Sequence, residues 1–364
     1  MIRILIVVAL LFLSSCSTDQ ATNTDNVVNV YNWADYIAPD TIEKFQTEYG
    51  IKVNYDIYDA SEVVDVKLLA GNSGYDVVIH SSQFSSRLTP IGVYEKLDYS
   101  RLGNRRNLDP ELSEKVDSYE KTTGYSIPYH WGSTGYAWNE KLVRERLPDH
   151  PMDSSDVLFD PAVTSKLADC GISLLDGTTD IYPMVLAYLG REPNSVDDES
   201  LAAAESQLMS VRPYIRYFSN QKMQNDLATG EICVAMSWSG DYALAAQRAR
   251  DAGLDVKLRY TMPKEGSGLW VDGIYIPSDA PHKDNAYLFM NFLMRADIAA
   301  DIANFVHYAN LNRASWPLVK PEIMQDPAIY PDRDDWDVLY PVLTVDPKRE
   351  RPRTRSFARV KAGI

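Results

Sequence analysis

Residues 27–80 read VVNVYNWADYIAPDTIEKFQTEYGIKVNYDIYDASEVVDVKLLAGNSGYDVVIH, and the order of patterns in this stretch decides the fold class. Val27 to Tyr31 predicts a strand. Pro39 to Tyr49 predicts a helix, with a proline near its start and Gly50 as its stop. Ile51 to Ile57 alternates apolar and polar residues as a second strand would. Ser61 caps a helix that runs to Ala70 and ends before Gly71, and Asp76 to His80 predicts a third strand. A βαβαβ order of this kind predicts a parallel sheet with helices on its faces. Ligands of such sheets bind beyond the carboxyl ends of the strands. That rule places Trp33, Ala34, Asp35 and Tyr36 after the first strand, and Ser81 and Ser82 after the third, at a candidate site.

Toward the carboxyl end, a break is expected around Pro128-Tyr129-His130-Trp131-Gly132. Gly171 to Leu175 and Ile232 to Met236 predict short strands among helical stretches such as Leu201 to Val211 and Tyr242 to Ala252. Asp255 to Pro263 and Leu269 to Pro277 predict further strands, followed by an amphipathic helix from Asp284 to Arg295. No repeat or low-complexity tract interrupts this alternation. Two α/β lobes with several chain crossings are expected.

Toward the amino end, Arg3 precedes an unbroken apolar run from Ile4 to Leu13 and then Leu13-Ser14-Ser15-Cys16. A positive start, a short apolar run and small residues describe an export signal over residues 1–16. The run is too short to span a bilayer, which takes about 20 apolar residues. Leu-Ser-Ser-Cys resembles a lipobox, in which Cys16 would carry lipid; ordinary cleavage near the same place is the alternative. Residues 17–26 are small and polar, as a tether would be. A periplasmic or cell-surface location follows.

Loss of that leader leaves Cys170 and Cys233. In an oxidising compartment an even pair is best read as a disulfide, with two buried thiols as the alternative. The chain carries 36 Lys and Arg against 51 Asp and Glu, a formal net charge of −15. Such a balance argues against nucleic acid and anionic membrane surfaces as partners, and favours cations. The one basic cluster, Lys348-Arg349-Glu350-Arg351-Pro352-Arg353-Thr354-Arg355, reads as a solvated face pairing with the protein's own carboxylates, or else as a docking patch.

Signatures of catalysis are missing. There is no glycine-rich phosphate loop, no His-Glu-x-x-His and no Gly-x-Ser-x-Gly. The histidines lack metal-ligand spacing, and no cofactor is expected. Instead, aromatic residues recur beside carboxylates at predicted strand ends: Trp33 with Asp35 and Tyr36, Trp238 with Asp241, and Trp270 with Asp272. Aromatic faces attract ammonium groups and pack on methylenes. Carboxylates give an ammonium charge-assisted hydrogen bonds that offset its desolvation.

The stretch Val30-Tyr31-Asn32-Trp33-Ala34-Asp35-Tyr36-Ile37-Ala38-Pro39 resembles the opening of the spermidine/putrescine-binding proteins of ABC transporters. The likeness continues through Tyr75-Asp76-Val77-Val78, Ile127-Pro128-Tyr129-His130-Trp131, Glu231-Ile232-Cys233-Val234-Ala235 and Tyr308-Ala309-Asn310. It covers nearly the whole chain beyond the leader and is strongest toward the putrescine-binding branch. The resemblance implies a type II periplasmic-binding-protein fold, with two α/β lobes and a ligand cleft between them. It implies that Trp33 and Trp238 sandwich the ligand's aliphatic chain, and that Asp35, Asp241 and Asp272 receive its ammonium ends. Ser81, Tyr36 and Tyr308 match the polar lining. Asp180 stands where that branch more usually has Glu, Ala34 where the family usually has Ser or Thr, and Trp270 where the putrescine branch tends to have Phe and the spermidine branch Trp. The two cysteines match a disulfide pair of the branch.

The expected lobes are residues 27–131 with 255–305, and residues 132–254 with 306–364. The expected function is capture of a polyamine, putrescine by preference, for delivery to an inner-membrane ABC permease by a monomer that performs no covalent chemistry. The alternatives are a same-fold protein for spermidine or for a sugar, an amine sensor feeding a receptor, and an exported hydrolase using two of the carboxylates.

Overall fold

The computed structural model describes residues 26–364 apart from 60, 120, 121 and 344. The leader, Cys16 and nearly all of the tether lie outside the described residues. Eleven strands form one sheet. They are β1 (Val27–Trp33), β2 (Lys52–Tyr58), β3 (Val77–Ser81), β4 (Ser126–Asn139), β5 (Ile172–Leu174) and β6 (Ile215–Phe218). Then come β7 (Val234–Trp238), β8 (Leu258–Thr261), β9 (Ser267–Tyr275), β10 (Ala309–Asn310) and β11 (Leu339–Pro341).

The opening βαβαβ unit forms as its patterns require. β1 pairs in parallel with β2 on one side and β3 on the other. Val28 and Val30 point into one apolar cluster and Tyr31 into another, so β1 is covered on both faces as a parallel strand must be. The first helix runs Thr41–Tyr49, leaving Pro39 and Asp40 ahead of it, and Gly50 ends it at φ 66°. The second runs Ser61–Leu69.

The expected break at Pro128–Gly132 is instead the middle of β4, a strand of 14 residues. Pro128 has no N–H to give a ladder, and the pairing with β9 shifts register between Pro128 and His130. The bulge absorbs the proline and the strand continues. β9 is antiparallel to β3 on one side and to β4 on the other. The sheet order β2-β1-β3-β9-β4-β7-β5-β6 therefore passes through these two central strands.

Two cores flank them. One gathers Val28, Val30, Phe45, Ile79, Ile274, Phe289 and Phe292. The other gathers Tyr136, Phe159, Tyr182, Leu186, Met236 and, from the helix Pro347–Ala362, Phe357 and Val360. Leu258 of β8 packs in this second core, since β8 pairs with Tyr136–Asn139 at the far end of β4. The half-buried Trp238 packs against both cores. In the second core Cys170 and Cys233 are joined by a disulfide across a sequence separation of 63, with Cα atoms 5.5 Å apart.

The basic cluster near residue 350 lies on the helix Pro347–Ala362, where Arg353 pairs with Glu350 of the same cluster; farther along the helix, Arg359 pairs with Glu205 at 2.6 Å and Lys361 with Asp176 at 2.7 Å. No helix among the described residues is long and apolar enough to cross a membrane.

Candidate ligand-binding site

Local structure brings carboxylates and aromatics together where the two cores meet. β1 ends at Trp33 and β7 at Trp238, so both indoles stand at strand ends as expected. Trp270 and Asp272 do not: they lie inside β9, where Asp272 is opposite Ser81, the last residue of β3, and Trp270 is opposite Gly132. The central strand thus carries a carboxylate to the level at which its neighbours end.

Asp272 is 5% exposed. Burial pushes its carboxyl up to about 7, against the pull of the Tyr36 and Ser81 hydroxyls. Tyr36 is itself buried, with its hydroxyl within reach of the Asp272 charge but short of full hydrogen-bond contact. Asp241 sits in the first turn of the helix Ser239–Asp251 and is raised by burial to about 6, with Tyr308, Gln224 and Arg248 opposing. The Tyr308 hydroxyl donates to Asp241 Oδ1 at 2.8 Å, and its ring stands 5.5 Å from Tyr36 and 5.2 Å from Trp270. Tyr308 is therefore the link between the two carboxylates; burial first, and then both carboxylates, raise its own hydroxyl.

Asp180, in the first turn of the helix Thr178–Tyr188, accepts from the Trp238 indole N–H at 2.9 Å and from the Thr134 hydroxyl at 3.0 Å. Burial raises its carboxyl too. Among the described residues no Lys, Arg or His nitrogen forms an ion pair with Asp180, Asp241 or Asp272, although all three are buried. Buried carboxylates lacking a cation are normally avoided, because desolvation goes uncompensated.

The remaining candidates are Trp33, which ends β1, and Ala34 and Asp35 in the turn that follows it. Trp33 is packed on Tyr58, ring centroids 4.4 Å apart, and Ala34 donates its backbone N–H to Tyr58 O at 3.1 Å. Asp35 is exposed, in the left-handed region at φ 54°. It is not drawn into the buried carboxylate group.

Residues 40–331 match the model of the bacterial extracellular solute-binding protein family. The chain belongs to that family. A putrescine-binding periplasmic protein of Pseudomonas aeruginosa is 43% identical over 355 residues, covering 97% of each chain. A putrescine-binding periplasmic protein of Escherichia coli is 42% identical over 338 residues, covering 92% of this chain and 91% of that one. Among solved structures, a spermidine/putrescine ABC transporter protein of Listeria monocytogenes superposes with a TM-score of 0.82 at 31% identity, over 92% of this chain and 99% of that one. The type II arrangement of two lobes on a shared sheet is thus the arrangement of this solute-binding protein, and its kin are exported.

Two glycines that sequence reasoning passed over shape the same site. A Cβ on Gly132 would come within 2.5 Å of the Trp270 ring, and one on Gly240 within 2.4 Å of the Tyr308 ring. A glycine next to an aromatic in a strand signals such close approach, and Trp131-Gly132 carries that signal. Thr134 and Gln224 were also missed, since nothing local marks a Thr in a strand or a Gln on a helix as a carboxylate's partner.

Proposed function

We propose that this exported protein captures a polyamine, a diamine such as putrescine by preference, and delivers it to an ABC transporter permease in the inner membrane. The observation that carries the reading is the set of three buried carboxylates without a paired cation, flanked by aromatic rings. Putrescine, named for two of the relatives, is a cation of the required kind. Asp241 and Asp272 receive the two ammonium ends. Trp33 and Trp238 pack on the methylenes between them, while Tyr36, Ser81 and Tyr308 line the site. Ala34 adds only a methyl group, Asp35 contributes negative potential at the rim, and Trp270 limits chain length.

Contacts from both lobes favour the closed state and exclude water, which strengthens each ion contact. We divide the lobes at the central strands, with residues 27–131 and the segment from β9 to about residue 305 on one side. β8 goes with the other lobe, because Leu258 packs there. The protein acts as a monomer, performs no covalent chemistry and binds no nucleic acid. It carries the Cys170–Cys233 bridge after export and is lipid-anchored through Cys16.

A longer amine such as spermidine is the second reading. It is favoured by Asp180, a third buried carboxylate, and by the indole at Trp270. Calorimetry of refolded, ligand-stripped protein against putrescine, cadaverine, agmatine, spermidine and spermine separates the two. A diamine should bind more tightly than spermidine. Equal or tighter spermidine binding would overturn the preference, and binding of a neutral sugar with no amine would overturn the polyamine reading.

A further inference from the structure

The helix Pro347–Ala362, read from sequence as a solvated basic face, sends one arginine inward. Arg353 is 2% exposed, and its guanidinium is paired with Glu350 one turn earlier. The same Glu350 accepts a hydrogen bond at Oε1 from the Thr178 hydroxyl at 2.5 Å. Thr178 opens the helix that carries Asp180 two residues later. A chain of contacts thus runs from a buried cation, through a carboxylate, to the first turn beneath Asp180.

The surroundings of Asp180 make the direction of influence readable. It accepts from Trp238, Thr134 and Thr179, none of which is charged. The Tyr340 hydroxyl of β11 feels its negative charge. Arg353 acts on it through space as a positive charge, and Glu350, which pairs with Arg353 and also faces the Arg87 guanidinium, carries the opposite sign. A buried ion pair is seldom the most stable way to fill a core, because apolar residues of equal volume do as well or better. A pair retained beneath a site carboxylate therefore invites a role in that site.

We propose that Glu350 and Arg353 are positioning residues of the amine site: Glu350 fixes the first turn that presents Asp180, and Arg353 anchors Glu350 and brings a positive charge beneath that turn. This rests on the reading of Asp180 as an ammonium acceptor.

The two charges act on Asp180 with opposite signs, which gives the test. The Asp180 carboxyl is titrated by carbon-13 NMR in ligand-free protein, for the wild type and for Arg353→Gln, Glu350→Gln and Arg353→Lys. Arg353→Gln should raise the midpoint. Glu350→Gln, whose amide oxygen still accepts from Thr178, should lower it. Arg353→Lys should leave it near the wild-type value. In calorimetry with putrescine and spermidine, Arg353→Gln should weaken binding about tenfold for each unit of midpoint shift when measured below both measured midpoints. Above both midpoints, where Asp180 is ionised in either protein, the loss should be small. Shifts of the same sign in both glutamine variants, or no shift, would overturn the proposal, as would an equal loss of affinity at both pH values. Opposite shifts in a protein that binds no amine would sink the polyamine reading and leave the positioning device intact. Amine binding with an unmoved midpoint would do the reverse.

Discussion

The Tyr308 hydroxyl donates to Asp241 across the meeting of the two cores. Tyr308 packs in the core built on β1 and β9, whereas Asp241 opens the helix Ser239–Asp251, whose Ala245 packs in the other. A single 2.8 Å hydrogen bond thus ties a carboxylate on a helix of one core to an aromatic ring of the other core. The rest of the site is arranged around that contact.

Replacing Tyr308 with Phe keeps the ring and removes the donor. Asp241 then loses the hydrogen bond that favours its charged form, and its carboxyl should rise further above 6. Putrescine affinity should fall by about 1.5–3 kcal/mol, the range for a hydrogen bond to a charged group. Titration calorimetry at neutral pH measures this, and an unchanged affinity would show that the bond is incidental.

Gly240→Ala should be worse, although it touches no polar atom. The new Cβ would lie 2.4 Å from the Tyr308 ring, so the ring or the helix must move. Overpacking of this kind typically costs about 1–3 kcal/mol. A lower melting temperature together with weakened amine binding is the expected pair of results. Wild-type affinity from this variant would mean that Tyr308 can leave its place without loss.

Acid should stabilise the ligand-free protein and weaken amine binding. Asp241 at about 6 and Asp272 at about 7 both lie above their ordinary value of 3.8. The folded state therefore binds more protons than the unfolded state between about 4 and 7. The stability these groups contribute is complete below their ordinary value and is lost as pH rises through 6 and 7. An ammonium ligand prefers the ionised carboxylates, so its affinity should climb over the same window with release of protons. Calorimetry in buffers of different ionisation enthalpy counts those protons, and a count of zero near pH 6 would contradict the assignment of these carboxylates to the ligand.

Reduction of the Cys170–Cys233 bridge should lower stability without abolishing binding. The chain-entropy account credits a loop spanning 63 residues with about 4 kcal/mol. Both cysteines are buried in the second core, and neither contacts Asp180, Asp241 or Asp272. A drop in melting temperature with amine affinity kept is expected, and mass spectrometry of unreduced exported protein finding two free thiols would refute the bridge.

What could be read in advance followed the range of the interaction. The opening βαβαβ unit was legible because its periodicity, its Gly50 stop and its helix start at Ser61 are all local signals. Of the two central strands, β9 was legible too, but β4 was not. Pro128 reads as a break when the partner strand that tolerates it lies far along the chain. For the same reason Asp272 could be paired with Trp270 by chemistry, but not set opposite Ser81. Arg353 was hidden in a run of basic residues, since helix phase alone turns it inward while its neighbours face water. Asp35 shows the converse, a promising neighbour of Trp33 that the left-handed turn leaves exposed.

The long reach of the central strands also bears on how the chain leaves the cell. Ser85 and Tyr275, joined by a hydrogen bond, are 190 residues apart, and Tyr275 packs with Tyr31 while its neighbour Ile274 packs in the first core. That core cannot close around β3 until β9 exists, and the second awaits Phe357 and Val360. Contacts so distant in sequence make folding slow, because each must first close a long loop. A newly made chain therefore stays open while it is threaded outward, and the topology that later grips a ligand first serves as a delay.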